Sequence, residues 1–247
     1  MIGLLAGALA WGVVTLASPV FGNSGYSDWA VVVVAGDNHA HDGTITEGFD
    51  NARRDVSADF VKLGFDKDNI REFSAQSQNY DEAGLMSSSI RAISNALWNL
   101  SEQTSGGCLL YFSTHGSEDG LVIGGQTLSP RELGIMVDNS CANRPTVVIL
   151  SACFSGVFLP ALKGPNRFVL TAARSDRASF GCSQDYKYPF FDDCVLQVIP
   201  GANGFRDMAD KTRACVAARE KAEDVSPPSR PQIYAGKTIM QNLPAWN

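Results

Sequence analysis

No two cysteines in this 247-residue chain are spaced as C-x-x-C, so a zinc ribbon or a thioredoxin-type redox site lacks its usual ligand pattern. Long runs of lysine and arginine are missing too. The chain carries 20 basic residues against 26 acidic ones, a net charge of −6 and a pI near 5.0. A mildly acidic surface repels phosphate backbones, so nucleic acid is not an expected partner. No charged side chain precedes Asp28. Within that stretch residues 2–17 are apolar, followed by Ser18-Pro19 and small residues. The pattern reads as a secretory signal peptide over residues 1–22, cut after Gly22, with an uncleaved membrane anchor as the alternative. Both readings place the protein outside the cytoplasm, periplasmic or secreted, and at a membrane only if the segment stays attached. Internal repeats and low-complexity tracts are absent. The remaining length suits one domain, residues 23–247, and 45% hydrophobic with 19% charged residues is an ordinary globular composition.

What is present is an alternation of short apolar runs and longer helical patterns. Residues 29–36 (WAVVVVAG) form a continuous β-branched run, as expected of a strand covered on both faces. Residues 69–74, 108–113, 146–151 and 167–171 read as further strands, and 231–236 as a last edge strand. Helical spacing appears over 51–63, 85–100 and 204–223. Residues 119–129 read as a hairpin turning at Gly124-Gly125. Ser129-Pro130-Arg131-Glu132 then combines an N-cap, a proline at the first helical position and a glutamate three residues on. Six strands alternating with helices predict an α/β fold, a mainly parallel sheet with helices on both faces. Ligands in such sheets bind beyond the carboxyl ends of the strands.

Two of those strand ends carry chemistry. His115-Gly116 follows residues 108–113, and Cys153 follows residues 146–151. One helix between them makes a right-handed crossover, so the two strands are expected to be parallel neighbours with both side chains at one rim. A thiolate is a strong nucleophile, and an adjacent imidazole can take and return its proton. Gly116 has no side chain, so its N–H can join that of Cys153 in an oxyanion hole. A helix beginning just after Cys153 would favour the thiolate through its dipole.

These segments resemble the legumain family of cysteine peptidases, related to caspases and to the catalytic subunit of the GPI transamidase. The resemblance rests on THGS after one strand, SACFSG after the next, residues 171–182 (TAARSDRASFGC), and WAVVVVAGDN followed by NARRD. It covers about residues 29–236. It implies a caspase-like three-layer sandwich and peptide-bond hydrolysis without metal or cofactor. It also implies a Cys153–His115 dyad, with Gly116 in the oxyanion hole and Asn51 supporting the histidine. Arg53 and Ser179 would line the substrate pocket by this resemblance. Arg54, Asp176 and Arg177 are further pocket candidates, with helix-surface charge as the alternative for the Arg53-Arg54 pair and a salt-linked turn for Asp176 and Arg177. Arginines near the pocket would imply a polar or acidic residue before the scissile bond. Phe154 stands where the family carries a pocket glutamate, which departs from asparagine specificity.

The substrate expected is an exported protein or peptide. Two alternatives stay open: a transpeptidase, in which an amine resolves the thioester, and a non-catalytic binding protein on the same fold. Among the six cysteines, Cys182 and Cys194 are the preferred disulfide pair, and at most two bridges form once Cys153 is kept free. Asp37-Asn38-His39-Ala40-His41-Asp42 reads as a solvated loop rather than a metal clip. Asp192-Asp193 reads as part of an exposed loop.

Overall fold

The computed structural model describes residues 25–246, so the expected signal peptide lies outside the described residues. Its strands and helices follow the apolar pattern closely. In chain order they are β1 (Ala30–Ala35), α1 (Gly48–Lys62), β2 (Ile70–Ser74), β3 (Met86–Ser87), α2 (Ile90–Gln103) and β4 (Cys108–Ser113). Next come β5 (Gly116–Ser117), β6 (Gly120–Ile123), β7 (Gln126–Leu128), α3 (Pro130–Cys141), β8 (Thr146–Ser151) and α4 (Leu159–Leu162). The chain closes with β9 (Arg167–Thr171), α5 (Phe190–Val198), α6 (Phe205–Ala222), β10 (Gln232–Ala235) and α7 (Ile239–Asn242).

Among the described residues the central sheet has seven strands in the order β10-β9-β8-β4-β1-β2-β3. Six were expected. The seventh is β3, a two-residue edge strand paired with β2 through Phe73↔Met86 and Ser74↔Ser87. It occupies the start of the segment expected to be helical. Ser89 stops it by capping α2, accepting the Ala92 N–H at 3.2 Å. The pairings within the sheet are parallel except β9–β10. A second sheet, β5-β6-β7, contains the expected hairpin as β6–β7, with the two-residue β5 added beside β6, and the hairpin turns at Gly124 and Gly125 with φ of +56° and +79°. Positive φ at both turn residues suits glycine, which has no Cβ to clash.

The wholly buried strands β1, β4 and β8 carry apolar side chains toward both faces. Val31, Val33, Tyr111 and Ile149 pack with residues of α1, α5 and α6, such as Val56, Phe60, Phe191 and Phe205. Val32, Val34, Phe112 and Leu150 pack with α2 and α3 through Ile93, Leu97, Leu133 and Val137. Alternation of side chains along each strand generates the two cores. The result is the expected three-layer sandwich. The Ser129 capping box is also formed, with Glu132 N–H to the Ser129 hydroxyl at 3.3 Å and Ser129 N–H to the Glu132 carboxylate at 2.9 Å.

The disulfides differ from expectation. Cys108 at the start of β4 is bonded to Cys141 at the end of α3, and Cys194 of α5 to Cys215 of α6. Cys153 and Cys182 are free. The preferred Cys182–Cys194 pair is therefore wrong. Cys194 faces inward from α5 toward α6, whereas Cys182 sits in the loop leading to that helix. Asp192 and Asp193 also differ: they lie in the first turn of α5, not in an exposed loop, and Asp192 is fully buried.

Labelling the unfolded, unreduced protein with iodoacetamide should modify Cys153 and Cys182 alone, and a non-reduced digest should recover the Cys108–Cys141 and Cys194–Cys215 peptides. Replacing Cys194 and Cys215 together by alanine should cost about 3 kcal/mol in denaturant unfolding, from the loop closed by a bridge of this span. A labelled Cys194 in the wild-type protein would contradict this pairing.

Candidate active site

Strands β4 and β8 pair in parallel from Cys108↔Thr146 to Ser113↔Ser151. His115 and Cys153 each lie two residues beyond that last aligned pair, so the ladder delivers them to the same edge at the same height. Both line one cavity with Phe49, Thr114, Ala152 and Ser179. An open cleft continues past Phe154, Ala178, Phe180 and Tyr186.

The imidazole is held from two sides. Its Nε2 lies 2.8 Å from the His39 carbonyl oxygen, and its ring meets Phe49 edge-on at 5.1 Å. A carbonyl oxygen can only accept, so Nε2 carries the proton and Nδ1 of the neutral ring is the acceptor. Asn51 does not perform the expected support. Its amide nitrogen donates to the Lys187 carbonyl at 3.1 Å, and its oxygen accepts from Arg54 at 2.5 Å. The support comes instead from a main-chain group in the His-x-His loop. That loop is therefore more than a solvated connection, and residue identity cannot announce a backbone carbonyl.

Cys153 Sγ accepts the Ser179 backbone N–H at 3.2 Å and lies 3.4 Å from the Ser179 carbonyl. Burial pushes its thiol pKa up, and the Ser179 N–H only partly opposes that. The expectation of a dipole-stabilised thiolate is not met. Phe154 turns the chain in the left-handed region with φ +56°, and a short 3-10 segment, Ser155–Phe158, precedes the four-residue α4. So short and irregular a helix start offers little dipole, and loss of water around the sulfur dominates. The Phe154 N–H is held by the Arg177 carbonyl at 2.8 Å. Gly116 packs against this turn. A Cβ there would sit 2.3 Å from the Cys153 carbonyl oxygen, so only glycine lets the two backbones meet.

The charged candidates go elsewhere. Arg53 is wholly buried, donating to Asp50 at 3.0 Å, Glu72 at 2.6 Å and Glu82 at 2.9 Å. Three carboxylates neutralise it, and it does not line the cavities that hold Cys153. Arg54 serves Asn51, as above. Asp176 is bound by Arg174 and by Arg177 at 3.0 Å, and Arg174 holds its carboxyl down to about 2. Neither Asp176 nor Arg177 lines the cleft, whereas Ser179 does. The arginine-based expectation of an acidic or polar specificity thus loses its footing. Cys182 enters the cleft unannounced, its thiol pushed up to about 11 by burial and by the Cys153 sulfur nearby.

A family model described as the Peptidase C13 family matches residues 14–200, in agreement with the legumain resemblance of the four sequence segments. No protein of curated function matches the chain.

With its pKa raised, Cys153 should react with iodoacetamide at a rate that keeps climbing above pH ~8.5, the ordinary thiol range, because only the deprotonated sulfur attacks. Cys182 should lag behind it on the same pH axis, as quantified by peptide mass spectrometry. A Cys153 rate already flat below pH 7 would mean a resting thiolate and would contradict the desolvated thiol.

Proposed function

The chain belongs to the peptidase C13 family, and from that premise we propose that it is an endopeptidase acting through a thioester on Cys153, with His115 as general acid and base. Family membership carries cysteine peptidase or transamidase-type chemistry and protein or peptide substrates. The finer assignment rests on one observation: aligned strands bring this thiol and this imidazole to one cavity.

The steps follow from the groups present. Burial raises the pKa of the sulfur, so in this reading Sγ starts as the thiol. As Sγ attacks the substrate carbonyl, its proton passes to Nδ1 of His115, and the carbonyl π electrons move to oxygen. The His39 carbonyl, already on the Nε2 proton, stabilises the imidazolium that forms. The N–H groups of Gly116 and Cys153 take the oxyanion in this reading. Collapse breaks the C–N bond, and Nδ1 returns the proton to the departing amine. Water, activated by the same nitrogen, then hydrolyses the thioester.

Specificity in this reading follows the cleft wall, where Ala152, Phe154, Ala178 and Phe180 stand beside Thr114, Ser151 and Ser179. With the nearby arginines already neutralised, an acidic side chain would enter without an arginine partner, and its desolvation would go largely uncompensated. The residue before the scissile bond is proposed to be uncharged. An exported location remains part of the proposal. It is supported by the two disulfides, which persist in oxidising compartments. Among the described residues no helix is long and apolar enough to cross a membrane.

Cleavage of a diverse fluorogenic peptide library should fall by about 10³-fold or more in Cys153→Ala and in His115→Ala, with uncharged residues enriched before the cut in the wild-type profile. Undiminished cleavage by either variant would sink the dyad, and enrichment of Asp or Glu would sink the specificity. Mass spectrometry of products with an added amine reports the acceptor: free carboxylates mean hydrolysis, amide products a transpeptidase.

A further inference from the structure

Beneath the two catalytic strand ends lies a carboxylate that the mechanism above does not use. Asp192 sits in the first turn of α5, wholly buried. Its Oδ2 accepts the Ser113 hydroxyl at 2.9 Å and the Ser151 hydroxyl at 2.7 Å, and its Oδ1 accepts the Tyr111 hydroxyl. Ser113 and Ser151 are the last aligned pair of β4 and β8, each two residues before His115 and Cys153. One oxygen therefore bridges the ends of both strands that carry the proposed dyad. Tyr111 and Ser113 share one face of β4, as side chains two apart do. The continuation of that parity places His115 on the same side, where it meets Phe49 of the same helical layer.

Such an arrangement is costly to bury and is unneeded for packing. A charge taken out of water is tolerated only with hydrogen bonds to replace the lost solvent. Here three hydroxyls supply them, and burial still pushes the carboxyl up to about 6. Burial and the Asp192 charge also keep the Tyr111 phenol protonated as a donor. An apolar residue at each of these positions would be the cheaper way to fill the core. The cost is explained if the bridge locks the relative height of the two strand ends.

We propose that Asp192 is a positioning residue: through Ser113 and Ser151 it holds the turns bearing His115 and Cys153 at a fixed separation across the cavity they share, so that Nδ1 and Sγ can close to proton-transfer reach once a substrate is bound. The proposal rests on the dyad reading and adds to it. It differs from a general packing role because it concerns the two strand ends and not the core as a whole. A misplacement of about 1 Å at a reacting pair can cost roughly 10²-fold in rate.

The test uses Asp192→Ala, Asp192→Asn, and the single variants Ser113→Ala and Ser151→Ala of the full chain, each shown folded by near-UV circular dichroism at the assay temperature. Two readouts are taken: kcat and KM on a peptide cleaved by the wild type, and the alkylation rate of Cys153 relative to Cys182. Asp192→Ala should lower kcat by about 10- to 100-fold with KM changed less than threefold, and should change the Cys153 rate more than that of Cys182. Asp192→Asn, whose amide oxygen can still accept both serine hydroxyls, should recover most of the loss. If Asp192→Ala does not fold, the two serine variants carry the test, each expected to show a smaller drop in kcat. Folded variants with kcat and Cys153 alkylation within twofold of wild type would overturn the proposal, as would Asp192→Asn behaving like Asp192→Ala. Should wild-type cleavage prove independent of Cys153, the endopeptidase reading fails by itself. The alkylation comparison then decides the positioning role alone.

Discussion

The parallel ladder between β4 and β8 is the constraint on which the site depends. Hydrogen bonds in that ladder align Ser113 with Ser151, and a slip of one residue would send every side chain of the slipped strand to the opposite layer. The two apolar faces of β4 and β8 forbid that slip, since each face is buried in a different core. Height at the sheet edge is thus set by burial far below it. His115 and Cys153 inherit their proximity from valines, leucines and isoleucines that never touch a substrate.

Electrostatics at this edge runs against water rather than with a cation. The Cys153 thiol is desolvated and touched by the main chain of Ser179, and the His115 imidazole is steered by the main chain of His39. Deeper in, Asp192 is matched by hydroxyls, and Arg53 is spent on three carboxylates. Buried charges placed away from the cleft leave its walls to apolar, hydroxyl, thiol and imidazole side chains. This division keeps the buried ion pairs of Arg53 out of the cleft, so a peptide can enter without breaking one.

Much of the fold was legible. Strands β4, β8 and β9 fall on the apolar runs at residues 108–113, 146–151 and 167–171. The Ser129 capping box and the Gly124-Gly125 turn appear as their residues dictate, because caps and positive-φ turns are local. Misreadings came where partners are distant in sequence. Edge strand β3 has two residues and too little pattern to see. Cys194 pairs with Cys215, a choice made by the packing of α5 on α6. Asp192 next to Asp193 looks like solvated charge until the helix turns one inward and the other toward Arg219.

From the sequence alone came the alternation of strand and helix, the likeness to legumain, and the identity of a thiol and an imidazole at two strand ends. These are carried by local apolar period and by residue type, which need no third dimension. The tertiary structure decided what surrounds that pair: a carbonyl on Nε2, a main-chain contact on Sγ, a buried arginine withdrawn from the cleft, and a carboxylate under both strands. Each depends on the distance between residues far apart in the chain. Those distances exist only after the sheet has closed and both its faces have been covered.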